Sequence, residues 1–321
     1  MTSPAKTKPT RPPFDKAKIN PYKIKNKTKE VILGILTAII LVGISYTILA
    51  PIIGLIAISF MSMEDMFNPL VFLVPDGGIS LDNYRNAIRF MPFWGPLWRT
   101  LAYSLGMGVL QVFIASIVGY GFARFKFYGN KLLFGLVLLT FIIPPETYLV
   151  PLWFRFTFFG PTDINLIGNY SSMIILTLTG MGLRSGLFIY IFRQFFMGVP
   201  RELSEAAYID GCSQIRTYAL IMMPNAKPAI VTVLMFALVW HYGDTFYSSV
   251  LLRNPTFLHV ALGQVVSNYM GYHWLLADMD ILRAQLVFFP AVVLTIAPIM
   301  IIYAVMQRKF IEGIERSGIV G

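Results

Sequence analysis

The chain of 321 residues is poor in charge and in metal-binding side chains: Asp, Glu, Lys and Arg make up 13%, with three histidines and one cysteine. A lone Cys212 excludes an intramolecular disulfide and any site built from several cysteines. His241, His259 and His273 are scattered and no HExxH occurs, so no metal centre is expected. There is no G-x-x-x-x-G-K-[ST] loop either, and the chain cannot hydrolyse ATP by that route. Gly180-Met-Gly182-Leu-Arg-Ser-Gly186 resembles a dinucleotide loop only superficially, because it lies inside an apolar run with no strand before it. Small residues there suit close helix packing or local unwinding. The sequence therefore predicts no catalytic residues, no cofactor and no enzyme activity.

Apolar surface is what the chain has in excess. Hydrophobic residues reach 56% and aromatics 15%, with mean hydropathy +0.66. An ordinary soluble domain carries about a quarter charged residues, so the bilayer is the expected solvent. A helix needs roughly 20 residues to cross the hydrocarbon layer. Six stretches are long enough, at 31–60, 97–121, 132–154, 171–196, 226–252 and 285–307. This predicts an all-α integral membrane protein of six transmembrane helices. The first stretch contains Pro51, where its end is expected to tilt or kink.

Charge then orients the spans. Residues 1–30 hold nine Lys or Arg against Asp15 and Glu30, and the positive-inside rule keeps this arm in the cytoplasm. The next inside connections carry Arg124, Lys126 and Lys131, then Arg193, Arg201, Arg216 and Lys227, and finally Arg308, Lys309 and Arg316. Outside, residues 61–96 hold Glu64, Asp65, Asp76 and Asp82 against Arg85 and Arg89, and 253–284 balance Arg253 and Arg283 with Asp278 and Asp280. Both termini are thus expected inside. The Lys, Pro and Thr-rich arm has almost no large apolar residues and reads as a disordered, topology-setting segment rather than a nucleic-acid contact. The expected organisation is the arm at 1–30, a first span and external loop at 31–96, a core at 97–308 with a cytoplasmic loop at about 198–224, and a tail at 309–321.

The loop at 198–224 is a polar island. It runs Pro200-Arg-Glu-Leu-Ser-Glu-Ala-Ala-Tyr-Ile-Asp-Gly-Cys-Ser-Gln-Ile-Arg216 and closes at Ile221-Met-Met-Pro224. Pro200 suits a first helical turn, Glu202 and Glu205 sit near the positive end of the helix dipole, and Gly211 ends the helix. A short helix outside the lipid is suited to being grasped by a partner.

Glu205-Ala206-Ala207, Asp210-Gly211 and the following Ile221 and Pro224 closely resemble the EAA loop of type I ABC importer permeases. The likeness continues through Arg99-Thr-Leu-Ala-Tyr-Ser-Leu, Gly119-Tyr-Gly-Phe-Ala-Arg-Phe-Lys-Phe127, Ile143-Pro-Pro-Glu-Thr-Tyr-Leu-Val-Pro-Leu152, Phe192-Arg-Gln-Phe-Phe196 and Gln307-Arg-Lys-Phe-Ile-Glu-Gly313. Over residues 97 to 321 the chain is most similar to the shorter, maltose-type permease of carbohydrate importers. One departure stands in the fifth span, where many sugar permeases show a Trp-Asn-Glu-Phe-like run and this chain has Trp240-His-Tyr-Gly-Asp-Thr-Phe246.

The resemblance implies a bacterial inner-membrane subunit that does no covalent chemistry. A second permease, two ABC ATPase subunits and an extracytoplasmic solute-binding protein are its implied partners, and a sugar or oligosaccharide its substrate. Glu205, Ala206, Ala207, Asp210, Gly211 and Pro224 would couple the loop to an ATPase, with the two alanines seating closely in its groove. Peptide, polyamine and glycerol phosphate permeases are the nearest alternatives. A stand-alone secondary transporter is disfavoured because the two halves show no repeat.

Within the membrane, Arg184 falls about thirteen residues from either end of the fourth stretch, where an isolated charge is costly. It requires a carboxylate, backbone carbonyls or a water-filled path. Glu146 and Asp244 are the available acids, and either would make Arg184 half of a structural ion pair. A cavity-lining Arg184 would instead favour an acidic or sulfated saccharide. Trp240, Tyr242, Phe246 and Tyr247 are candidate stacking surfaces for sugar rings, or packing residues in an aromatic-rich chain.

Overall fold

The computed structural model describes residues 21–253, 255–274 and 281–318, all helical or in connecting turns apart from one isolated β-bridge between Phe159 and Ile164. Most of the basic arm, together with Asp278 and Asp280, lies outside the described residues.

Residues 1–55 and 56–321 are two units. The first holds helix α1 (Pro21–Ser59) up to Leu55; the helix continues through Pro51, with its apolar side chains from Val31 to Leu49 exposed. The second unit takes the last turn of α1 and continues with α2 (Met63–Phe67), α3 (Asp82–Phe90) and α4 (Trp94–Arg124). There follow α5 (Asn130–Ile142), α6 (Leu149–Thr157), α7 (Tyr170–Leu178), α8 (Ser185–Gly198) and α9 (Glu202–Ile209). Two single turns, α10 (Gln214–Thr217) and α11 (Met223–Asn225), flank a π-helical turn at Tyr218–Met222. The chain closes with α12 (Lys227–Tyr242), α13 (Phe246–Leu251), α14 (Leu258–Trp274) and α15 (Ile281–Gly318).

Among the described residues, Lys29–Ser59, Trp94–Arg124 and Arg283–Lys309 are long and apolar enough to cross a bilayer alone, and Gln214–Asn225 with Lys227–Tyr242 form a fourth candidate bent by 77°. The remaining apolar stretches differ from the continuous spans expected of them. The stretch 132–154 is divided between α5 and α6 because Pro144 and Pro145 cannot donate to a helical ladder, and a 3₁₀ turn at Pro145–Thr147 fills the gap. The stretch 171–196 is divided between α7 and α8, with Gly180 at φ +76°. Residues 253–284, read as an external loop, contain the 17-residue α14. That helix is too short and too polar to register as a span, and its Asn268 amide is used internally, donating to the Phe90 carbonyl at 3.0 Å.

Helix α4 is the element on which the core is built. Its Gly119 meets α8 so closely that a Cβ there would lie 2.7 Å from Phe192 Cβ and 2.9 Å from the Arg193 nitrogen. Around this contact Phe188, Phe192, Phe196, Val233 and Ala237 form one buried cluster from α4, α8 and α12. A second cluster, with Phe90, Leu97, Tyr242, Leu258 and Val287, joins α3 and α14 to α15. A third, with Tyr103, Leu149, Met173, Tyr247 and Leu251, gathers α6, α7 and α13.

Candidate functional site

Two regions carry the candidate residues. The first is the polar loop. Helix α9 forms over Glu202–Ile209 as its sequence predicts, with Glu202 and Glu205 in its first turn. Its end is a Schellman arrangement: the Gly211 amide donates to the Tyr208 carbonyl at 3.1 Å and the Cys212 amide to Ala207 at 2.9 Å. Gly211 holds φ +78°, a conformation that a side chain with Cβ disfavours. Helical periodicity separates the two alanines. Ser204 and Ala207, three residues apart, turn inward and are buried, whereas Glu205, Ala206 and Asp210 are exposed. Ala207 therefore packs against its own chain, and only Ala206 is available to a partner's groove. Leu203, Ile209 and Ile215 are exposed beside it, so the loop presents an apolar surface as well as acids. Pro224 lies in α11, at the entrance to α12.

The loop is tied to the membrane helices at both ends. Arg124, the last residue of α4, donates from Nη2 to the Val199 carbonyl at 2.7 Å. The hydroxyls of Ser116 on α4 and Tyr218 in the π turn are 2.7 Å apart. Neither tie was anticipated from the sequence.

The second region lies where helices break. Helix α8 has 14 residues, so at 1.5 Å per residue its start is about 21 Å from its end at the loop. Arg184 caps that start with φ +59°. A small cleft here is lined by Ile143, Pro145 and Tyr148 from the α5–α6 break, by Gly180–Gly186, and by Tyr247 from α13. Three interruptions thus meet at one cleft. Non-helical backbone in the membrane is tolerated where it is buried in protein or lines a water-filled cavity.

Neither proposed ion pair forms. Among the described residues Arg184 has no carboxylate within 4.0 Å, and the two acids expected to pair with it are otherwise placed: Glu146 is exposed in the 3₁₀ turn, and Asp244 is buried as the anchor of α13. The Asp244 carboxylate accepts from the Phe246 and Tyr247 amides through Oδ1, at 3.1 and 3.0 Å, and from Ser248 through Oδ2 at 3.1 Å. It thereby satisfies donors that a helix start leaves unpaired. The Arg184 guanidinium lies instead over two rings, 5.5 Å from the Trp240 centroid and 5.7 Å from Phe141.

The four aromatic candidates are not brought together. Trp240 is stacked against Phe188 and Phe236, at 5.4 and 5.5 Å, within the α8–α12 cluster. Tyr242 belongs to the α14–α15 cluster and donates to the Thr295 carbonyl at 2.6 Å. Tyr247 is buried in the third cluster, its hydroxyl 2.5 Å from that of Tyr148, while Phe246 sits half-exposed with its ring edge-on to Tyr247. Of the four, Trp240 and Tyr247 lie beside Arg184, and Trp240 is engaged by Phe188, Phe236 and the guanidinium.

A buried polar chain supports the Arg184 break. Gln111 on α4 donates from Nε2 to the Leu183 carbonyl and to Ser185 Oγ, the latter at 3.3 Å. Its Oε1 lies 3.0 Å from His241 Nε2. Because the amide nitrogen is committed to a carbonyl that only accepts, Oε1 must accept, and His241 must carry its proton on Nε2. The residues on either side of Arg184 are thus fixed from α4 and α12.

The family model described as the binding-protein-dependent transport system inner membrane component matches residues 111–316. The arabinooligosaccharides transport system permease protein AraQ of Halalkalibacterium halodurans is 28% identical over 302 residues, covering 93% of this chain and 100% of that protein. The maltodextrin transport system permease protein MdxG of Bacillus subtilis is 27% identical over 76% of this chain and 82% of the relative. In fold, the chain is similar to a solved bacterial ABC transporter involved in the import of the acidic polysaccharide alginate, with TM-score 0.69 and 23% identity over 88% of this chain and 98% of that one. An all-helical chain with several apolar spans, matched by that family over most of its length, belongs to the binding-protein-dependent transport system inner membrane components: it is the multi-pass permease of an ABC importer, not its ATPase.

Proposed function

We propose that this permease carries a sugar or oligosaccharide, with α9 as the helix through which ATPase closure drives the membrane helices. The observation that carries the coupling role is the geometry of α9: a short helix with Glu205, Ala206 and Asp210 exposed, closed by a left-handed Gly211 and hydrogen-bonded through its flanks to α4. Such a helix can be gripped outside the lipid, and the Arg124–Val199 and Ser116–Tyr218 bonds give its displacement a path into the bundle. Carbohydrate is favoured by the names of the relatives AraQ and MdxG.

In this reading α5 with α6, and α7 with α8, each complete one span. With α1, α4, α12 and α15 they make six, both termini lie in the cytoplasm, and the loop at 198–224 faces an ATPase there. The functional assembly contains a second permease subunit, two ATPases and an extracytoplasmic binding protein.

The test is ATP hydrolysis by the purified complex, stimulated by its binding protein loaded in turn with saccharides, glycerol phosphate, polyamines and peptides. Stimulation by a saccharide and by none of the others is expected. Stimulation by a non-sugar alone would assign the permease to that solute.

A further inference from the structure

We propose that Arg184 forms an oxyanion-binding subsite on the translocation path and that the saccharide carried past it bears a carboxylate or sulfate; this rests on the reading of the chain as a carbohydrate permease. Four observations converge on it. Arg184 sits about 21 Å along α8 from its loop end, by the helix rise of 1.5 Å per residue, within the apolar stretch 171–196. It is exposed there, and no carboxylate among the described residues neutralises it. Asp244, the buried acid of the neighbouring break, is fully engaged with three backbone amides and cannot turn toward it. Finally, the guanidinium is positioned rather than free: it lies over the rings of Phe141 and Trp240, and Gln111 pins the residues before and after it.

A cation at that depth is costly unless it faces water or an anion. A neutral sugar does not require one, since its hydroxyls can be satisfied by neutral donors and acceptors, whereas a carboxylate or sulfate needs a counter-charge. A guanidinium offers a planar fork that matches a carboxylate or sulfate with two parallel hydrogen bonds, and no carboxylate among the described residues offsets its charge. The cleft behind Arg184 holds only about 20 Å³, room for one water, so the anionic group would approach from the exposed side while the sugar ring stays outside the cleft. Tyr148 and Tyr247, with their hydroxyls 2.5 Å apart, also line the cleft. Trp240, whose ring contacts Phe188, Phe236 and the Arg184 guanidinium, serves as a support for the cation rather than as a sugar platform.

The experiment uses the complete importer, with both permeases, the ATPases and the binding protein, in proteoliposomes. Uptake of three probes is compared: tri-galacturonate, a sulfated trisaccharide and neutral maltotriose. The wild type is expected to import one anionic probe, and which of the two identifies the source of the oxyanion. R184M should lower that uptake tenfold or more at an equal amount of assembled complex. R184K keeps the charge but loses the fork, so it should fall between the two and raise KM more than it lowers the maximal rate. Import of the neutral probe alone, or anionic uptake by R184M equal to wild type, would overturn the subsite and leave the carbohydrate reading standing. Failure of either variant to assemble would assign Arg184 to a structural pair with another subunit and overturn it as well. Import of no saccharide by an active wild-type complex would instead remove the reading on which the subsite rests.

Discussion

Arg124 Nη2 donates to the Val199 carbonyl at 2.7 Å, binding the final residue of α4 to the residue that ends α8, three positions before α9 begins. On the other side of α9, Ser116 and Tyr218 join the same helix to the π turn. Any movement of α9 therefore meets α4 through both of its flanks. Hydrogen bonds from a charged donor contribute about 1.5–3 kcal/mol, so Arg124 is the stronger tie. R124M keeps the apolar stem and removes the donors. Its transporter is expected to assemble and hydrolyse ATP, but the number of substrate molecules imported per ATP should fall several-fold. An unchanged ratio would show that α4 does not carry the movement.

The Gln111 chain gives a second prediction, by double substitution. Q111L leaves His241 Nε2 and the Leu183 carbonyl buried without their partner, a loss of about 1–3 kcal/mol. Thermal unfolding of the assembled complex should shift down accordingly. Q111L combined with H241F replaces polar groups at both ends of one bond and should recover part of the loss. A double variant less stable than the two single losses combined would contradict the pairing.

The loop was the most legible part of the sequence, because its signals are local. Pro200, the acidic first turn and Gly211 specify a helix start and stop without reference to the rest of the fold, and the structure forms α9 between them. Hydropathy could not reveal the breaks at Pro144–Pro145 and Gly180–Gly182, because averaging over about 20 residues hides a turn of three or four. Nor could it sort Trp240, Tyr242 and Tyr247. Adjacent in sequence, they are rotated about 100° per residue around α12 and then divided by the break at Gly243, so each joins a different cluster. Gln111 and His241 are 130 residues apart and carry no joint motif. Their pairing depends on α4 meeting α12, which is a tertiary fact. The same holds for Arg184, whose depth pointed to a functional or paired cation while its lack of an acid emerged only once Asp244 was seen capping α13.

Topology is tested by a reporter active only in the cytoplasm. Fusions after residue 30, near 128, near 212 and at the C-terminus should be active, and insertions near 77 and 265 inactive, as the Lys and Arg distribution requires. Residue 265 is the demanding case, since Val265 lies within α14 and is buried, so the insertion should be placed in the connection at Pro255–Thr256 as a control. Activity at both positions would overturn the six-span arrangement.

The central claim, that α9 transmits ATPase closure, is tested most directly by Gly211. A valine there must adopt φ +78°, a left-handed conformation that costs a β-branched residue about 1–3 kcal/mol and opens the Schellman turn, while no neighbouring atom lies within 4 Å to clash with it. The measurement is retention of the ATPase on the affinity-purified permease pair, together with substrate uptake, for G211V and for E205K. Normal membrane insertion, an ATPase lost on washing and abolished uptake are expected in both variants. Retained ATPase with wild-type uptake in both would contradict the claim.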